Sequence, residues 1–587
     1  MPRQMMHKTR IGTACLTAGT MLGLLVACGG GGGSSTPQPA PAPSPSPVVL
    51  QDVACAVQYQ PTDTPLLTGA DPQVALQWHL NNDGSVTGRA GEDLKAFAAW
   101  QRTRGEGVRI AVIDDAIEVL HEDLAPNVVA GASFNFRQAG RGNAYPLPCT
   151  TDDNHGTSVA GLIVARDFNG RGVAGVAPRA ALVGYNALAT AVDSDINEAL
   201  TRDLALNSIF NNSWGSPDNG FLHPAEPTFI ESIERGITTG RNGKGAIYVF
   251  PGGNGGCYNP DLQATPEIEP CVRENSNYDG YVNRLGVVAT CAVDPNGRQP
   301  FYGERGANML VCAPSSNLPP DSSNKFSNTR ITTTAIRSQY RSDFTGTSAS
   351  TPMVSGVVAL MLAANPELTW RDVRLILASS ARQNDFPPAA PPIPDPEWTT
   401  NFGLNFSHKY GFGVADAQAA VQLAQNWTSV GGRDSLITCG PHAVDVRQPL
   451  LDPVPGLPSP TLRPVSSPNP VAPCTIGKIE FVEVKFTAKS TGFPTQNTEH
   501  PSTGDLRIRL TSPQGLVSEL ADAHICYNAQ EMPVNCGPYD NYSFGSVRHL
   551  NEPVNSGNSR WTLEVTDMLS QDAGQFVDWS ITFFGRP

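Results

Sequence analysis

Short apolar runs alternate with segments of helical periodicity between residues 104 and 427 of this 587-residue chain. The runs VRIAVID (108–114) and GAIYVF (245–250) are rich in β-branched residues and bounded by glycines and polar turns, which is typical of buried strands. Between these runs lie segments with helical spacing, 194–206 and 228–238. The alternation predicts an α/β domain with a mainly parallel sheet, in which ligands bind at the carboxyl ends of the strands.

The pattern changes beyond Trp427. A proline-rich passage (450–473) precedes runs in which apolar and polar residues alternate, namely KIEFVEVKF, DLRIRLTSP, RWTLEVTD and DWSITFF. Such runs, with turns between them, predict an antiparallel β-sandwich of roughly 110 to 150 residues. Because the chain is longer than one hydrophobic core normally supports, we expect two folded domains, 51–428 and 429–587.

The N-terminal 27 residues have the pattern of a secretory signal. An apolar stretch (11–27) that is short for a membrane span follows basic residues, Arg3, His7, Lys8 and Arg10. The stretch closes with LVAC, which resembles the lipobox of bacterial lipoproteins and predicts lipidation of Cys28; ordinary signal cleavage nearby is the alternative. Residues 28–50 are rich in glycine, serine and proline and predict a tether. We therefore expect an exported protein, either a cell envelope lipoprotein or a secreted one.

Charge and cysteine content narrow the class of protein. The formal net charge of −14 and pI near 5.2 disfavour nucleic acid or an anionic membrane surface as the main partner. Of the 12 cysteines, ten remain when Cys15 and Cys28 are set aside, and an even set in an exported chain predicts disulfides. Short separations favour two local bridges, Cys257–Cys271 and Cys526–Cys536. No cysteine or histidine cluster has the spacing of a zinc site.

Three segments carry candidate chemistry. Asp114 ends an apolar strand, His155 lies in DDNHGTSVAG, and Ser348 lies in TGTSASTPMVSGVVALM. The serines and threonines of the last segment could simply cap the helix that follows. However, a serine hydroxyl becomes nucleophilic when an imidazole removes its proton and a carboxylate orients that imidazole. The order Asp, His, Ser is the one found in subtilisin-type enzymes.

Four sequence blocks extend this likeness to a family. Asp114, NHGTSVAG around His155, GGNGG around Asn254 and GTSASTPM around Ser348 resemble the hallmark blocks of the subtilisin-like serine proteases. Further blocks resemble the kexin and furin group, the proprotein convertases: DPQVALQWHL, the doubled acid at 114–115, NNSWG, YDGYVN and SHKYGFGVADAQAAVQLAQNW. This resemblance implies a three-layer subtilisin-like domain followed by a jelly-roll-like P domain.

The resemblance also implies the roles of individual residues. Ser348 would be the nucleophile, His155 the general base and acid, and Asp114 the orienting carboxylate. The side-chain amide of Asn254 and the N–H of Ser348 would form the oxyanion hole. The residues expected to bind substrate are Asp115, Asp152, Ser213, Trp214, Gly215, Asp218 and Asp279.

The acids of this set predict the cleavage preference. Asp218 and Asp279 match the acids that face the side chain before the scissile bond, and Asp115 and Asp152 match those facing the next residue upstream. We therefore expect cleavage after lysine or arginine, especially after basic pairs. Pro224 stands where furin-like enzymes keep an acid, so a strict four-residue basic signal is not expected.

Calcium is the implied structural metal, because hard oxygen ligands suit that ion. The matching positions are the side chains of Asp71, Asp123 and Asn169 and the carbonyls near Arg166, Arg171 and Val173. The resemblance implies a second site near Asp218 and Glu304. Without the family resemblance, Asp71 and Asp123 would be interpreted as ordinary turn residues.

The sequence-based prediction is an exported, calcium-stabilised serine endopeptidase of the kexin type. Between Cys28 and Asp71 there is no room for the folded inhibitory domain that convertases carry, so folding either uses a separately encoded chaperone or needs none. Two other functions stay open. One is a catalytically silent protein that binds surfaces through its sandwich, and the other is a subtilisin-like protease of broad specificity.

Overall fold

The computed structural model describes residues 55–59, 68–256, 274–317, 330–384, 398–450, 465–466, 474–489, 503–555, 560–569 and 574–587. The predictions of a signal segment, a tether, lipidation of Cys28 and a Cys257–Cys271 bridge lie outside these residues.

A six-stranded parallel sheet forms the centre of the first domain. Its strands, in the order β2-β1-β3-β4-β5-β6, are β1 (Arg109–Ile113), β2 (Ala181–Tyr185), β3 (Ile209–Asn212), β4 (Ile247–Pro251), β5 (Val287–Val293) and β6 (Met309–Pro314). Nearly every residue of these strands is buried, because helices cover a parallel sheet on both faces. Burial on both faces explains why the sequences of these strands are mostly apolar, and the parallel sheet confirms the predicted fold class.

Seven α-helices accompany this sheet in the described part of the chain. They are α1 (Ala96–Ala99), α2 (His155–Val164), α3 (Asp193–Thr201), α4 (Pro227–Thr239), α5 (Thr347–Ala364), α6 (Trp370–Ser380) and α7 (Ala417–Gln425). Two hairpins, β7 (Ile331–Ala335) with β8 (Gln339–Phe344) and β9 (Thr399–Asn401) with β10 (Leu404–Phe406), complete the domain. Helix α5 is long and apolar enough to cross a bilayer, but 83% of it is buried within the protein, as in the core helix of a globular domain.

The C-terminal sandwich consists of two four-stranded antiparallel sheets. One has the order β11 (Ile437–Leu450), β20 (Gly574–Arg586), β13 (Lys478–Lys489), β18 (Tyr539–Ser546). The other has the order β12 (Val465–Ser466), β19 (Thr562–Asp567), β14 (Leu506–Thr511), β15 (Val517–Ala521). A small hairpin, β16 (Cys526–Tyr527) with β17 (Pro533–Val534), extends from it. In β14 buried and half-buried residues alternate strictly, as the period-two pattern predicts for a strand facing one core.

Four disulfides join described cysteines. The bridges are Cys55–Cys149, Cys291–Cys312, Cys439–Cys474 and Cys526–Cys536. The last confirms the local pairing expected from its short separation. The first ties the segment 55–59 to the loop that precedes α2, where the Val57 N–H also donates to the Cys149 carbonyl.

The two domains contribute to each other's hydrophobic core. Phe481, Val547 and Leu550 of the sandwich pack with the core of the first domain. In the opposite direction, Tyr278 and Ala307 of the first domain pack into the core of the sandwich. The domains are therefore joined by packed side chains as well as by a linker.

Candidate active site

Strand and helix ends bring the candidate catalytic residues to one edge of the sheet. Asp114 follows β1 and Ser213 follows the neighbouring strand β3, so both lie at carboxyl ends of parallel strands. His155 is the first residue of α2, and Ser348 lies in the first turn of α5, and these two helices pack together. The fold thus gathers residues that are more than two hundred positions apart in the chain.

Asp114 and His155 are hydrogen-bonded. The Nδ1 atom of His155 lies 2.9 Å from Oδ1 of Asp114, which is buried, while the imidazole is 34% exposed. Burial alone would lower the pKa of His155, but the charge of Asp114 and its hydrogen bond outweigh burial and raise that pKa. A carboxylate oxygen accepts this bond, so Nδ1 carries a proton. In the neutral form of the ring Nε2 is unprotonated and can accept one.

The glycine after His155 is required by this contact. A Cβ at Gly156 would overlap the carbonyl oxygen of Ala116 and the side chain of Asp114. Only glycine lets the start of α2 approach the end of β1 closely enough for the hydrogen bond. This gives a physical reason for the NHG of the sequence block.

Asp115 lies at the N-terminus of α2. Its carboxylate accepts hydrogen bonds from the N–H groups of His155 (3.1 Å) and Gly156 (2.8 Å), which have no acceptor within the helix. Burial and the neighbouring charge of Asp114 raise the pKa of Asp115 to about 7. The residue therefore anchors the helix that carries the imidazole. Asp152, also expected to bind substrate, is exposed in the preceding loop.

Ser348 faces the end of β3. Its hydroxyl donates to the carbonyl oxygen of Ser213 at 3.2 Å. Within the described part of the chain no hydrogen bond joins Ser348 to His155. To reach the imidazole, the hydroxyl has to turn away from Ser213 by rotation of the side chain.

Asn254 lies beside the first turn of α5 with its amide oriented. Oδ1 accepts hydrogen bonds from the N–H (2.9 Å) and the hydroxyl (3.0 Å) of Thr347. Both bonds need the amide oxygen on that side, so the NH2 group faces away from Thr347 and remains a donor. The N–H of Ser348 also lacks an intrahelical acceptor, because it belongs to the first turn of α5. Two donors, the Asn254 amide and the Ser348 N–H, thus belong to the lining of one pocket, and such a pair can stabilise an oxyanion.

A pocket opens next to Ser348 and encloses about 440 Å³, including its mouth. It is lined by Ser213, Trp214, Gly215, Ser216, Pro217, Asp218, Pro251, Gly252, Gly253, Asn254, Glu274, Asp279, Glu304 and Ser348. Every charged side chain in this lining is acidic. Such a pocket is suited to a cationic side chain.

Asp279 is fixed in the pocket wall by three donors. It accepts hydrogen bonds from the N–H (2.8 Å) and hydroxyl (3.0 Å) of Ser216 and from the N–H of Tyr281 (2.8 Å). Burial raises the pKa of Asp279 to about 6 in spite of these bonds. A Cβ at Gly215 would collide with the Asp279 carboxylate, which explains the glycine of the SWG motif.

A cluster of three acids lies at one end of the pocket. Carboxylate oxygens of Asp218, Glu274 and Glu304 lie within 4.8 Å of one another. Burial, together with the charges of Glu274 and Asp218, raises the pKa of Glu304 well above its usual range. Gly253 has a positive φ of 100°, and a Cβ there would overlap the Glu304 carboxylate. Three closely spaced carboxylates, of which Glu274 and Glu304 are buried and Asp218 is exposed, fit a calcium ion, which would supply the missing positive charge.

The residues of the first expected calcium site also come together. Asp71 accepts hydrogen bonds from the N–H groups of Asn169 (3.0 Å) and Gly170 (3.1 Å), and the side-chain amide of Asn169 donates to Asp123 at 2.6 Å. The Val173 N–H donates to the other oxygen of Asp123. Burial, with a smaller contribution from the charge of Asp71, raises the pKa of Asp123 to about 6. Two acids and an amide side chain thus come together from three separate segments, and carboxylate and amide oxygens belong to the donor set that calcium prefers.

Arg166 and Arg171, the two remaining residues of the expected calcium site, contact Asp123 and Asn169 through their backbone N–H groups. The Arg166 N–H donates to the Asp123 carbonyl at 2.8 Å, and the Arg171 N–H donates to Oδ1 of Asn169 at 3.0 Å. The guanidinium of Arg171 pairs with Glu122. These contacts hold the loop 166–173 against Asp71 and Asp123.

Comparison with known proteins identifies the family. The sequence profile of the subtilase family matches residues 105–413, more than half of the chain. The chain belongs to the subtilase family. In this subtilase, residues 494–583 also match the profile of the proprotein convertase P-domain, which agrees with the antiparallel sheets observed there.

Named relatives of the subtilase include proprotein convertases and dibasic-processing enzymes. It is 31% identical over 553 residues to "Proprotein convertase subtilisin/kexin type 6" of Homo sapiens, covering 91% of this chain and 51% of the relative. It is 30% identical over 526 residues to the "Dibasic-processing endoprotease" of Yarrowia lipolytica, covering 88% of this chain and 48% of the relative. The chain thus spans about half the length of these relatives.

Solved structures show the same fold. A serine protease of Aeromonas sobria superposes with a TM-score of 0.69 at 24% identity, covering 91% of this chain and 100% of that one. The same protease in complex with the chaperone ORF2 gives a TM-score of 0.70 at 25% identity, covering 89% and 96%.

Sequence reasoning missed Glu274 and Ser216 of this subtilase. Glu274 joins the acidic cluster although no motif contains it, and Ser216 fixes Asp279 through two hydrogen bonds. Both contacts form between segments far apart in the chain, so local spacing carries no signal for them. The one available hint was the glycine-rich GGNGG, since such loops allow close approach of another side chain.

Proposed function

We propose that this subtilase is an exported serine endopeptidase that cleaves peptide bonds after basic residues, preferentially after pairs of lysine or arginine. The observation that carries the proposal is the pocket beside Ser348, whose charged lining residues are all acidic. An arginine side chain entering this pocket would neutralise carboxylates that burial otherwise disfavours. The dibasic preference named for the Yarrowia relative supports the same conclusion.

The proposed chemistry is acyl transfer through a serine ester. The Ser348 hydroxyl would turn from the Ser213 carbonyl to Nε2 of His155, which takes its proton as the oxygen attacks the scissile carbonyl. The imidazolium then forms beside Asp114, which stabilises it, and the proton passes to the leaving amine. The Asn254 amide and the Ser348 N–H would bind the developing oxyanion.

Calcium and a folding partner belong to the proposal. Calcium would be held by the group of Asp71, Asp123 and Asn169 and by the Asp218, Glu274 and Glu304 cluster, where it would neutralise repelling carboxylates and fix the surrounding loops. A separately encoded chaperone is supported by the Aeromonas protease, whose structure includes one. Export, with or without a lipid anchor at Cys28, is supported by the N-terminal sequence pattern.

Two measurements test the activity: active-site labelling, with one inactive variant and one control variant, and a comparison of peptide substrates. A fluorophosphonate probe is expected to label the wild type and not Ser348→Ala, whereas Ser342→Ala, which changes an exposed serine of β8, keeps its label. With peptides that differ only at the residue before the cut, kcat/KM should be at least about tenfold higher for arginine or lysine than for leucine. Absence of labelling would favour the silent surface-binding protein. Labelling without a basic preference would favour a protease of broad specificity.

A further inference from the structure

The side chain of Tyr278 leaves the first domain and enters the sandwich. It is 1% exposed and packs in the sandwich core. Its hydroxyl donates to the carbonyl oxygen of Asp522 at 2.9 Å and accepts from the N–H of the same residue at 3.2 Å. Tyr278 directly precedes Asp279, the acid of the pocket wall.

His524 completes this contact. Its Nδ1 atom lies 3.1 Å from the Tyr278 hydroxyl and 2.9 Å from the Asp522 carbonyl oxygen, and the two rings are 4.4 Å apart. A carbonyl oxygen only accepts, so Nδ1 carries the proton and the imidazole is the neutral Nδ1–H form. Burial lowers the pKa of His524, which is consistent with a neutral ring.

The backbone around Tyr278 continues the network to the pocket. The His223 N–H donates to the Tyr278 carbonyl at 2.8 Å, and the Gly280 N–H donates to the His223 carbonyl at 2.7 Å. Asp279 is thus enclosed between two bonded residues. Its carboxylate in turn accepts two hydrogen bonds from Ser216, another residue of the pocket lining.

The same sandwich segment reaches the loop of Asp218. The Tyr527 N–H donates to the Asn219 carbonyl at 2.9 Å, one residue after Asp218. The side chain of Asn219 lies 2.9 Å from Nε2 of His223, which joins this loop to the Tyr278 backbone. The Cys526–Cys536 disulfide closes the segment from the sandwich side. The loop that carries Asp218 and the segment that carries Asp279 are therefore both bonded to one short stretch of the sandwich.

We propose that the segment Asp522–Tyr527 of the sandwich sets the selectivity of the pocket by holding Asp218 and Asp279 in place, with Tyr278 and His524 as positioning residues. The proposal rests on the proposed function, because it concerns recognition of a basic side chain. A cation gains most from two carboxylates when both are fixed at hydrogen-bonding distance, and a displacement of about 1 Å removes much of that gain. Loosening the sandwich contact should weaken binding of arginine more than it slows the chemistry at Ser348.

Removal of the hydroxyl alone is the direct test. Tyr278→Phe keeps the ring in the sandwich core and deletes its hydrogen bonds to Asp522 and His524. We expect the ratio of kcat/KM for arginine over leucine peptides to fall about twofold to tenfold, mainly through a higher KM for arginine. The inhibition constant of benzamidine, a small cation that fills such a pocket without being cleaved, should rise by a similar factor.

A pair of His524 variants provides a second route if Tyr278→Phe folds poorly. His524→Asn can place a side-chain polar atom near the position of Nδ1, whereas His524→Leu has no polar atom there. We expect the His524→Asn variant to retain most of the preference for arginine over leucine peptides and the His524→Leu variant to lose it. The matched control is Thr399→Val, which removes a different contact between the domains, the hydrogen bond from Arg548 to Thr399, and touches no pocket residue.

The outcomes separate positioning from simple stabilisation. All assays are run well below each variant's melting temperature, which is measured in parallel. If Tyr278→Phe and His524→Leu lower kcat/KM equally for arginine and leucine peptides and leave benzamidine binding unchanged, the positioning proposal is wrong. If the wild type itself shows no preference for arginine, the proposed function fails instead.

Discussion

At the residue scale, glycines explain much of the site. Gly156 lets α2 approach Asp114, Gly215 makes room for Asp279, and Gly253 makes room for Glu304. In each case part of an acidic residue occupies the space that a Cβ would need, and at Gly156 the carbonyl oxygen of Ala116 lies there as well. The glycines of the sequence blocks are therefore steric requirements of the acids that they face.

His79 is a buried imidazole with an energetic consequence. It is fully buried, and among the residues that the structure describes neither ring nitrogen has a hydrogen-bond partner. Burial lowers the pKa of His79 to about 3. The ring is therefore neutral in the folded protein at every pH near neutrality.

The low pKa of His79 predicts that the folded protein loses stability in acid, and that replacing His79 by leucine removes this loss. The unfolded chain protonates this histidine below about pH 6.5 and the folded chain does not, so the free energy of unfolding decreases as pH falls through that value. Between pH 7.5 and pH 5 the contribution is about 2 kcal/mol. We expect His79→Leu to gain about that amount relative to the parent at pH 5.

Denaturant titrations of both proteins in a Ser348→Ala background, which prevents self-digestion, provide the measurement. The difference at pH 7.5 serves as the baseline, because the ring is then neutral in both states and only packing differs. A difference between the two proteins that stays constant from pH 7.5 to pH 5 would show that His79 does not titrate in this way.

At the element scale, the sequence predicts those strands and helices that are marked by the spacing of neighbouring apolar residues. Strand β1 lies within one residue of its predicted run at each end and β4 within two, because continuous apolar runs mark a covered parallel sheet. The helix expected over 194–206 ends earlier, at Thr201. Arg202 is extended and Asp203 has a positive φ of 52°, so the chain turns and the side chain of Asn207 donates to the Arg202 carbonyl. Helical spacing of apolar residues does not report such a turn.

Long-range partners could not be predicted in this way. Helix α6 is joined to the sandwich by Arg371, whose guanidinium is 0% exposed and pairs with Glu480 at 2.6 Å. Arg586 from β20 pairs with the same carboxylate at 3.0 Å. Glu480 is a polar position of the predicted run KIEFVEVKF, yet it is buried, and nothing in its spacing indicates which helix it meets.

Breaking this buried pair is expected to be costly. Arg371→Leu leaves Glu480 buried with one cation instead of two, and we expect a loss of about 3 kcal/mol in the free energy of unfolding, the lower end for such pairs because Arg586 remains. The control is Arg447→Leu, which breaks an exposed pair with Asp445 and should change stability by less than about 1 kcal/mol. Denaturant unfolding in the Ser348→Ala background measures both. Equal effects of the two substitutions would contradict a structural role for the Arg371–Glu480 pair.

At the scale of the whole molecule, the two domains share a boundary built from buried groups. Tyr278 and Ala307 pack in the sandwich core, Phe481 packs in the other core, and Arg371 is buried between them. Interfaces of this kind couple the unfolding of adjacent domains, unlike the looser contacts that allow domain motion. The binding of any ligand to one domain should then stabilise both.

Calcium provides the test at this scale. The pair Asp71 and Asp123 and the Asp218, Glu274 and Glu304 cluster both concentrate negative charge that a divalent cation would neutralise. At a calcium concentration one hundred times its dissociation constant, each site should add about 2.7 kcal/mol to the free energy of unfolding.

We expect a chelator to lower the melting temperature of the Ser348→Ala protein in one transition that includes the sandwich. Asp123→Asn and Glu304→Gln should each reduce the calcium-dependent part, while Asp445→Asn, which changes an exposed acid, should not. A melting temperature that is the same in calcium and in chelator would show that neither acidic cluster binds the ion.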